Sequence, residues 1–196
     1  MIGIILLAAG SSSRLGHAKQ QVYFQGQTLL QRALHAAVAS QGNPVIVVLG
    51  ANAEAILPQV ETTPAEIVLN EAWAEGMASS IRAGLTHLQK TASACTAALF
   101  MLCDQPYVTA DLLNQLIQAH GAEDQHMVAC AYEDTLGAPV LFPRKFFPAL
   151  LQLQGQEGAK KLLSRFPEEV ISIPFPAGAI DIDTPADVAA LQANKT

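Results

Sequence analysis

Charge is scarce in this chain of 196 residues: only 14% are charged and the net balance is −6. No broad basic surface is available for a nucleic-acid backbone, although a few local cations can still meet a small anionic substrate. Cysteine is equally sparse. Cys95, Cys103 and Cys130 are odd in number, far apart and without a C-x-x-C pair, which argues against a disulfide framework or a zinc site and fits a reducing cytoplasm. The five histidines, His17, His35, His87, His120 and His126, form neither H-x-E nor H-E-x-x-H, so zinc hydrolases are set aside. There is no G-x-S-x-G elbow for a serine nucleophile. No apolar run is long enough to cross a membrane and no basic leader precedes Ile2, so neither a span nor a signal peptide is expected. Repeats and low-complexity tracts are missing as well. Apolar side chains, by contrast, make up 51% of the chain. At this length that suffices to bury a substantial core, and one domain over residues 1–196 is expected.

The apolar residues fall into an alternating pattern. Ile2 to Ala8 is a short, nearly uninterrupted run ended by Gly10 and three serines, as in a strand buried on both faces of a parallel sheet. Thr28 then opens a helix, with Gln31 completing a capping box and Leu29, Leu30, Ala33, Leu34 and Ala37 forming its apolar face. Strands are expected at Val45 to Leu49, Ile67 to Leu69, Ala97 to Cys103 and Met127 to Tyr132. Helices are expected at Asn52 to Leu57, through Met77, Ile81, Leu85 and Leu88, and from the Thr109 cap through Ile117. Thr184-Pro185-Ala186-Asp187 opens a last helix. The alternation predicts an α/β three-layer sandwich with a mostly parallel sheet, its ligand crevice beyond the carboxyl ends of the strands. The less regular stretch from Ala138 to Ile173 is expected to form a small strand-and-helix subdomain over that crevice.

Chemistry concentrates in the loop after the first strand, Leu7-Ala8-Ala9-Gly10-Ser11-Ser12-Ser13-Arg14-Leu15-Gly16-His17-Ala18-Lys19. Its small residues let backbone N–H groups approach an anion, and it carries two cations. Arg14 can fork onto two phosphate oxygens, and Lys19 can act as a point charge near the phosphate under attack. Two familiar nucleotide motifs fail here. Gly10 and Gly16 enclose five residues and are followed by His17, which is no Walker loop, and Gly10 is followed by serines, which is no dinucleotide fingerprint.

The loop resembles L-A-A-G-x-S-x-R-[apolar]-G-x-x-K, the N-terminal signature of MobA-like nucleotidyltransferases and most closely of their molybdenum-cofactor cytidylyltransferase branch. Three further stretches extend the resemblance in order along the chain. Asn70-Glu71-Ala72-Trp73-Ala74-Glu75-Gly76-Met77-Ala78-Ser79-Ser80-Ile81-Arg82-Ala83-Gly84 is similar to the family's N-x-x-[WYF]-x-x-G-[ML]-x-[ST]-S-[apolar]-[RK]-x-[GA] segment. Leu102-Cys103-Asp104-Gln105-Pro106 resembles its D-Q/M-P turn, and Asp181-Ile182-Asp183-Thr184-Pro185 its D-[IV]-D-T-P segment. The resemblance implies a nucleotide-diphospho-sugar-transferase-like, Rossmann-like fold.

Metal chemistry fits the same residues. Asp104 follows a buried strand and Asp183 precedes a helix cap, so both carboxylates can stand at one end of the sheet and serve Mg2+, which keeps waters and bridges substrate phosphates. Singly, each reads equally well as a turn-former or helix-start acid. The resemblance places Leu7 to Arg14, Lys19, Asn70, Ser79 and Ser80 at the nucleotide. An Asx turn is the alternative for Asn70, a helix start for the two serines, and a solvated helix position for Arg82. Cys103 is expected to be a buried small residue rather than a nucleophile.

For the acceptor, Gly137-Ala138-Pro139 resembles the family's G-x-P turn and Gly155-Gln156-Glu157-Gly158-Ala159-Lys160 its G-D-x-G-A-[RK] loop, which points to Gly137, Pro139 and Lys160. Gln156 stands where the family has Asp and removes a charge. Lys160, with Lys161 beside it, also reads as helix surface. The activity implied is CMP transfer from CTP to molybdopterin with release of pyrophosphate, Mg2+ as cofactor, and a molybdenum hydroxylase apoenzyme as a further partner. Ala9 is what separates L-A-A-G from the guanylyl branch's L-A-G-G. GTP-dependent transfer, an NAD(P)H-dependent reductase and a non-catalytic molybdenum-cofactor chaperone are the alternatives.

Overall fold

The computed structural model describes residues 1–12, 15–121 and 125–193. The apolar run at the N-terminus forms β1 (Ile2–Ala8), buried from Ile4 onward. It pairs in parallel with β4 (Val45–Leu49) on one side and β6 (Ala97–Leu102) on the other, and β5 (Glu66–Leu69) extends the parallel set beyond β4. Past β6 the direction changes. β8 (Thr135–Pro143) runs antiparallel to both β6 and β7 (Met127–Tyr132), and β9 (Val170–Pro174) closes the sheet parallel to β7. The order is β5-β4-β1-β6-β8-β7-β9, and a separate two-stranded ribbon joins β2 (Tyr23–Phe24) to β3 (Gln27–Thr28).

Period-two alternation in the strands feeds two apolar layers. Ile4, Leu6 and Ala8 pack with α1 (Leu29–Ala39), α2 (Ala53–Val60) and α4 (Ala110–His120). Ile5, Leu7 and Ala9 face the other layer, formed by α3 (Met77–Thr91), α5 (Phe147–Leu151) and α6 (Lys160–Arg165). The three-layer α/β sandwich expected from the pattern is the fold observed. Truncating a side chain of full burial such as Leu85 to Ala costs about 2–5 kcal/mol in such a core. Gly84 lets α3 lie close on the sheet: a Cβ there would stand 2.6 Å from Ile5 Cγ2 and 2.9 Å from Val48 Cγ2.

The caps follow the expected chemistry. Thr28 Oγ1 accepts from Gln31 N while Gln31 Oε1 accepts from Thr28 N. Thr184 and Asp187 make the same reciprocal pair at the start of α7 (Pro185–Ala193). Asn52 precedes α2 without a side-chain capping bond.

The stretch 138–173 departs from expectation. It is no subdomain over the crevice: its strands are β8 and β9 of the main sheet, and α5 and α6 complete the second apolar layer. Tyr132 pairs with Thr135, so Glu133 and Asp134 alone make the reversal that sets β8 antiparallel. Among the described residues no helix is long and apolar enough to cross a membrane.

Candidate active site

Beyond the carboxyl end of β1 the chain enters the serine loop, where the carbonyls of Ala8, Ala9, Gly10 and Ser12 are already engaged. The buried Gln20 donates from Nε2 to Ala8 O at 2.8 Å and to Gly10 O at 3.1 Å, and Ala51 N donates to Ala9 O at 3.1 Å. Ser12 adopts a positive φ of 55°; its carbonyl accepts from Leu15 N and Gly16 N, and its Oγ accepts from Lys19 N at 2.9 Å. Those bonds fold the loop back onto a single 3₁₀ turn, Lys19–Gln21. Ser13 and Arg14, expected at the nucleotide, lie outside the described residues.

Lys19 reaches across to the carboxylates. Its Nζ donates to Asp104 Oδ2 at 2.5 Å and to Asp183 Oδ1 at 2.9 Å, with the three side chains 17%, 12% and 27% exposed. Burial works against the ammonium, but the Asp104 charge and the hydrogen bonds to both aspartates outweigh it and hold Lys19 protonated well above its ordinary value. Local packing makes this meeting possible. Asp104 ends the turn after β6, and Ile182 N donates to Asp104 O at 3.1 Å. Ile182 and Leu191 also share a small apolar cluster with Leu15, Val22, Phe24 and Leu29, which seats the 181–183 segment against the start of the chain. Asp181 is raised in pKa by burial and then by the charges of Asp104 and Asp183, so negative charge is concentrated here.

A hard divalent cation suits this donor set. The two carboxylates converge, and Asp104 Oδ1 is buried with no hydrogen-bond partner among the described residues. Among those residues no three His, Cys, Asp or Glu side chains gather as a metal cage. Mg2+ does not need one, because it retains waters and takes substrate phosphate oxygens.

A cleft of about 300 Å³ opens between these groups, bounded by Ala9, Gly10, Lys19, Trp73, Ser80 and Asp104. Asn70 stands behind it. Its Nδ2 donates to Ser79 Oγ at 2.8 Å and Ser80 Oγ at 3.0 Å, and its Oδ1 accepts from Ala72 N, which is the Asx turn weighed as its alternative role. Asn70 thereby pins the first turn of α3 and lines a neighbouring hollow with Trp73 and Asn52. Of the two serines, Ser80 reaches the main cleft, whereas Ser79 Oγ also donates to Gly76 O.

A second hollow of about 340 Å³ adjoins the first and shares Leu7, Met77, Leu102 and Gln156 with it. Gly137 and Lys160 line its wall with Phe100 and Tyr132. Pro139 is buried in β8 one residue beyond the lip at Ala138. The loop carrying Gln156 is clamped to α3: Ala78 N donates to Gly155 O at 3.1 Å, and a Cβ on Gly76 (φ 117°) would lie 2.4 Å from Gly155 O. Arg82, expected to be solvated, donates to Leu153 O at 2.6 Å and pairs with Glu75 at 2.7 Å. Cys103 is buried, its thiol pushed up to about 12 by desolvation and then by Asp104, which makes it no nucleophile at neutral pH.

Three residues escaped the sequence reading as site components: Gln20, Asp181 and Gln105. Gln105 is buried and donates from Nε2 to Ala138 O and Gly178 O, tying the aspartate turn to the lip of the second hollow. The signal available was position alone, since Gln20 follows Lys19, Gln105 follows Asp104, and Asp181 opens the D-I-D run.

The family model of the MobA-like NTP transferase domain matches residues 4–170. The chain is 29% identical to nicotine blue oxidoreductase of Paenarthrobacter nicotinovorans, over 92% of this chain and 91% of that protein. It is 25% identical to a probable molybdenum cofactor guanylyltransferase of a Nostoc species, over 96% and 89%. The structure of Rv0371c from Mycobacterium tuberculosis in complex with manganese superposes with a TM-score of 0.81 at 27% identity, over 98% of each chain.

Proposed function

The chain belongs to the MobA-like NTP transferase family, and from that premise we propose that it is a single-domain, cytoplasmic cytidylyltransferase that moves CMP from CTP to molybdopterin and releases pyrophosphate. One observation carries the reading: Lys19, Asp104 and Asp183 converge at the ends of two parallel strands, beside a loop whose carbonyls at Ala8, Ala9 and Gly10 are occupied. Such an array is suited to a polyphosphate held next to a divalent ion. The relative named for molybdenum cofactor guanylyl transfer and the manganese complex of Rv0371c support the substrate class and the metal.

In the reaction, an oxygen of the pterin phosphate forms a bond to the α-phosphorus of the nucleotide as the bond to pyrophosphate breaks, and the departing pyrophosphate takes the electron pair. Phosphate is already a nucleophile, so catalysis rests on alignment and charge. Asp104 and Asp183 would hold Mg2+, which supplies charge neutralisation to the phosphates when bound. Lys19 turns from the carboxylates to the phosphate under attack. The amides of Gly10 to Ser12 receive the remaining phosphate oxygens. On the acceptor side, Gly137 and Lys160 border the apolar hollow, where the lysine would meet the pterin phosphate, and Pro139 follows its lip residue Ala138.

Support for CTP over GTP comes from Ala9. Ala9 lines the cleft, and its buried methyl packs close to Gly50, where an added Cβ would stand 2.8 Å from Ala9 Cβ. A methyl rather than glycine at this position takes space beside the cleft, which supports a pyrimidine over a purine. The test is pyrophosphate release by the purified protein with Mg2+ and molybdopterin, comparing CTP, GTP and ATP against a control without acceptor. Selective release with CTP is the expected result; release with GTP would move the chain to the guanylyl branch, and none with any nucleotide from folded protein would sink the reading.

A second reading draws on the relative named nicotine blue oxidoreductase. It is an NAD(P)H-dependent reductase using the same cleft, and oxidation of NADPH in the presence of an electron acceptor would establish it. The serine loop offers no dinucleotide fingerprint for such a cofactor.

A further inference from the structure

We infer that Gln20 is a positioning residue that makes the loop of residues 8–12 an anion cradle; the inference rests on the nucleotide-transfer reading above. A peptide loop presents an approaching phosphate with two kinds of dipole, amides that attract it and carbonyls that repel it. In this loop the repelling set is taken out of play at three consecutive positions. Gln20 Nε2 spends both hydrogens on Ala8 O and Gly10 O, and Ala51 N takes Ala9 O between them. Among the described residues no backbone acceptor takes the amides of Gly10, Ser11 or Ser12.

The side chain of Gln20 is suited to this and to little else. It is fully buried, and it borders the cleft together with the loop it holds. A primary amide is the uncharged side-chain group with two donors on one nitrogen, and bridging two carbonyls two residues apart requires both. Its Oε1 is buried without a partner among the described residues, a cost that an ordinary surface glutamine would not incur. Placement explains how it gets there. Lys19 and Gln20 are neighbours on one 3₁₀ turn, where successive side chains diverge by about 120°. One therefore points at the carboxylates and the other at the loop, and a single turn sets the spacing between the cation and the cradle.

The direct test compares wild type with Gln20→Met, which keeps length and burial but has no donor, and with Gln20→Glu, which keeps the acceptor and loses both N–H groups. Titration calorimetry with magnesium and tripolyphosphate reads the cradle without a base. Affinity is expected to fall about tenfold in Gln20→Met, the consequence of losing a pair of hydrogen bonds that fixes the loop. In turnover the KM for the nucleotide should rise by a similar factor while the KM for the acceptor stays within about twofold, a split that general loosening of the fold would not give. On wild-type protein, tripolyphosphate should shift the amide resonances of Gly10, Ser11 and Ser12 above all others. The inference is overturned if folded Gln20→Met binds tripolyphosphate as wild type does, if both KM values rise together, or if those three amides do not respond. Pyrophosphate release by wild type is a separate outcome: its loss would remove the transferase reading, whereas its presence alongside an unaffected Gln20→Met removes only the role of Gln20.

Discussion

On the two sides of β6 one sheet is built in two ways. Toward β1 and β4 the strands are parallel, their carboxyl ends face the same cleft, and the groups there are polar and already engaged with one another. Toward β7 the strands reverse at β8, and the hollow they border is lined largely by Phe100, Leu102, Tyr132 and Val140. A polyphosphate has the same charge and shape whichever base it carries, so it can be met by fixed backbone and a few fixed charges. An acceptor ring is met by shape, and an antiparallel hairpin with an apolar face supplies shape with little polar commitment.

The comparison breaks first at Asp104. Replacing Asp104 by Asn should lower turnover by about 10²–10³-fold, the scale typical for removing one preorganised charge-stabilising group, while the melting temperature changes little. A variant with wild-type rates of pyrophosphate release would show that the parallel side does not carry the chemistry. Lys19→Met comes next. Turnover should fall by roughly tenfold or more, whereas binding of Mn2+ in the absence of nucleotide, followed by electron paramagnetic resonance, should tighten several-fold because the carboxylates lose their internal cation.

On the other side of β6 a smaller and different effect is expected. A Cβ at Gly137 would stand 2.0 Å from the Tyr132 hydroxyl and force that ring to move. Gly137→Ala should raise the acceptor KM several-fold and leave the nucleotide KM within about twofold, as overpacking one wall of one hollow would do. If both constants moved alike, the two sides would not be separate subsites.

The smallest effect concerns stability at high pH. Burial raises the Cys130 thiol from 9.0 to about 12 in the folded protein. Between those values the unfolded chain releases a proton that the folded chain keeps, so stability is lost as pH rises through that window and is unaffected at neutrality. Cys130→Ala should flatten the alkaline decline in urea midpoints and change nothing in this respect at pH 7.

What was legible in the sequence was what local chemistry decides. The run Ile2–Ala8, the Thr28 capping box and the Thr184 cap each depend on neighbours within a few residues, and each was found where expected. The reversal at Glu133 and Asp134 was not legible, because Tyr-Glu-Asp-Thr lacks the Asn-Gly or Asp-Gly signal of a two-residue hairpin. Without that signal, the part of β8 from Ala138 onward reads as the start of a separate unit. Gln20 was hidden for another reason: in sequence it is one of two adjacent glutamines, and only the folded loop reveals that three carbonyls required donors. Asn70 was placed near the nucleotide by resemblance, while its own hydrogen bonds hold the start of α3.

The contact of Lys19 with Asp104 and Asp183 also bears on how the protein withstands chelation. Two close carboxylates left alone would repel each other, at a cost relieved by a bound ion or by protonation of one of them. Here an ammonium from the same chain stands between them, so the fold carries its own counter-ion. EDTA should abolish transfer yet leave the melting temperature where it was, and Mg2+ should raise that temperature more when nucleotide is present to draw Lys19 away.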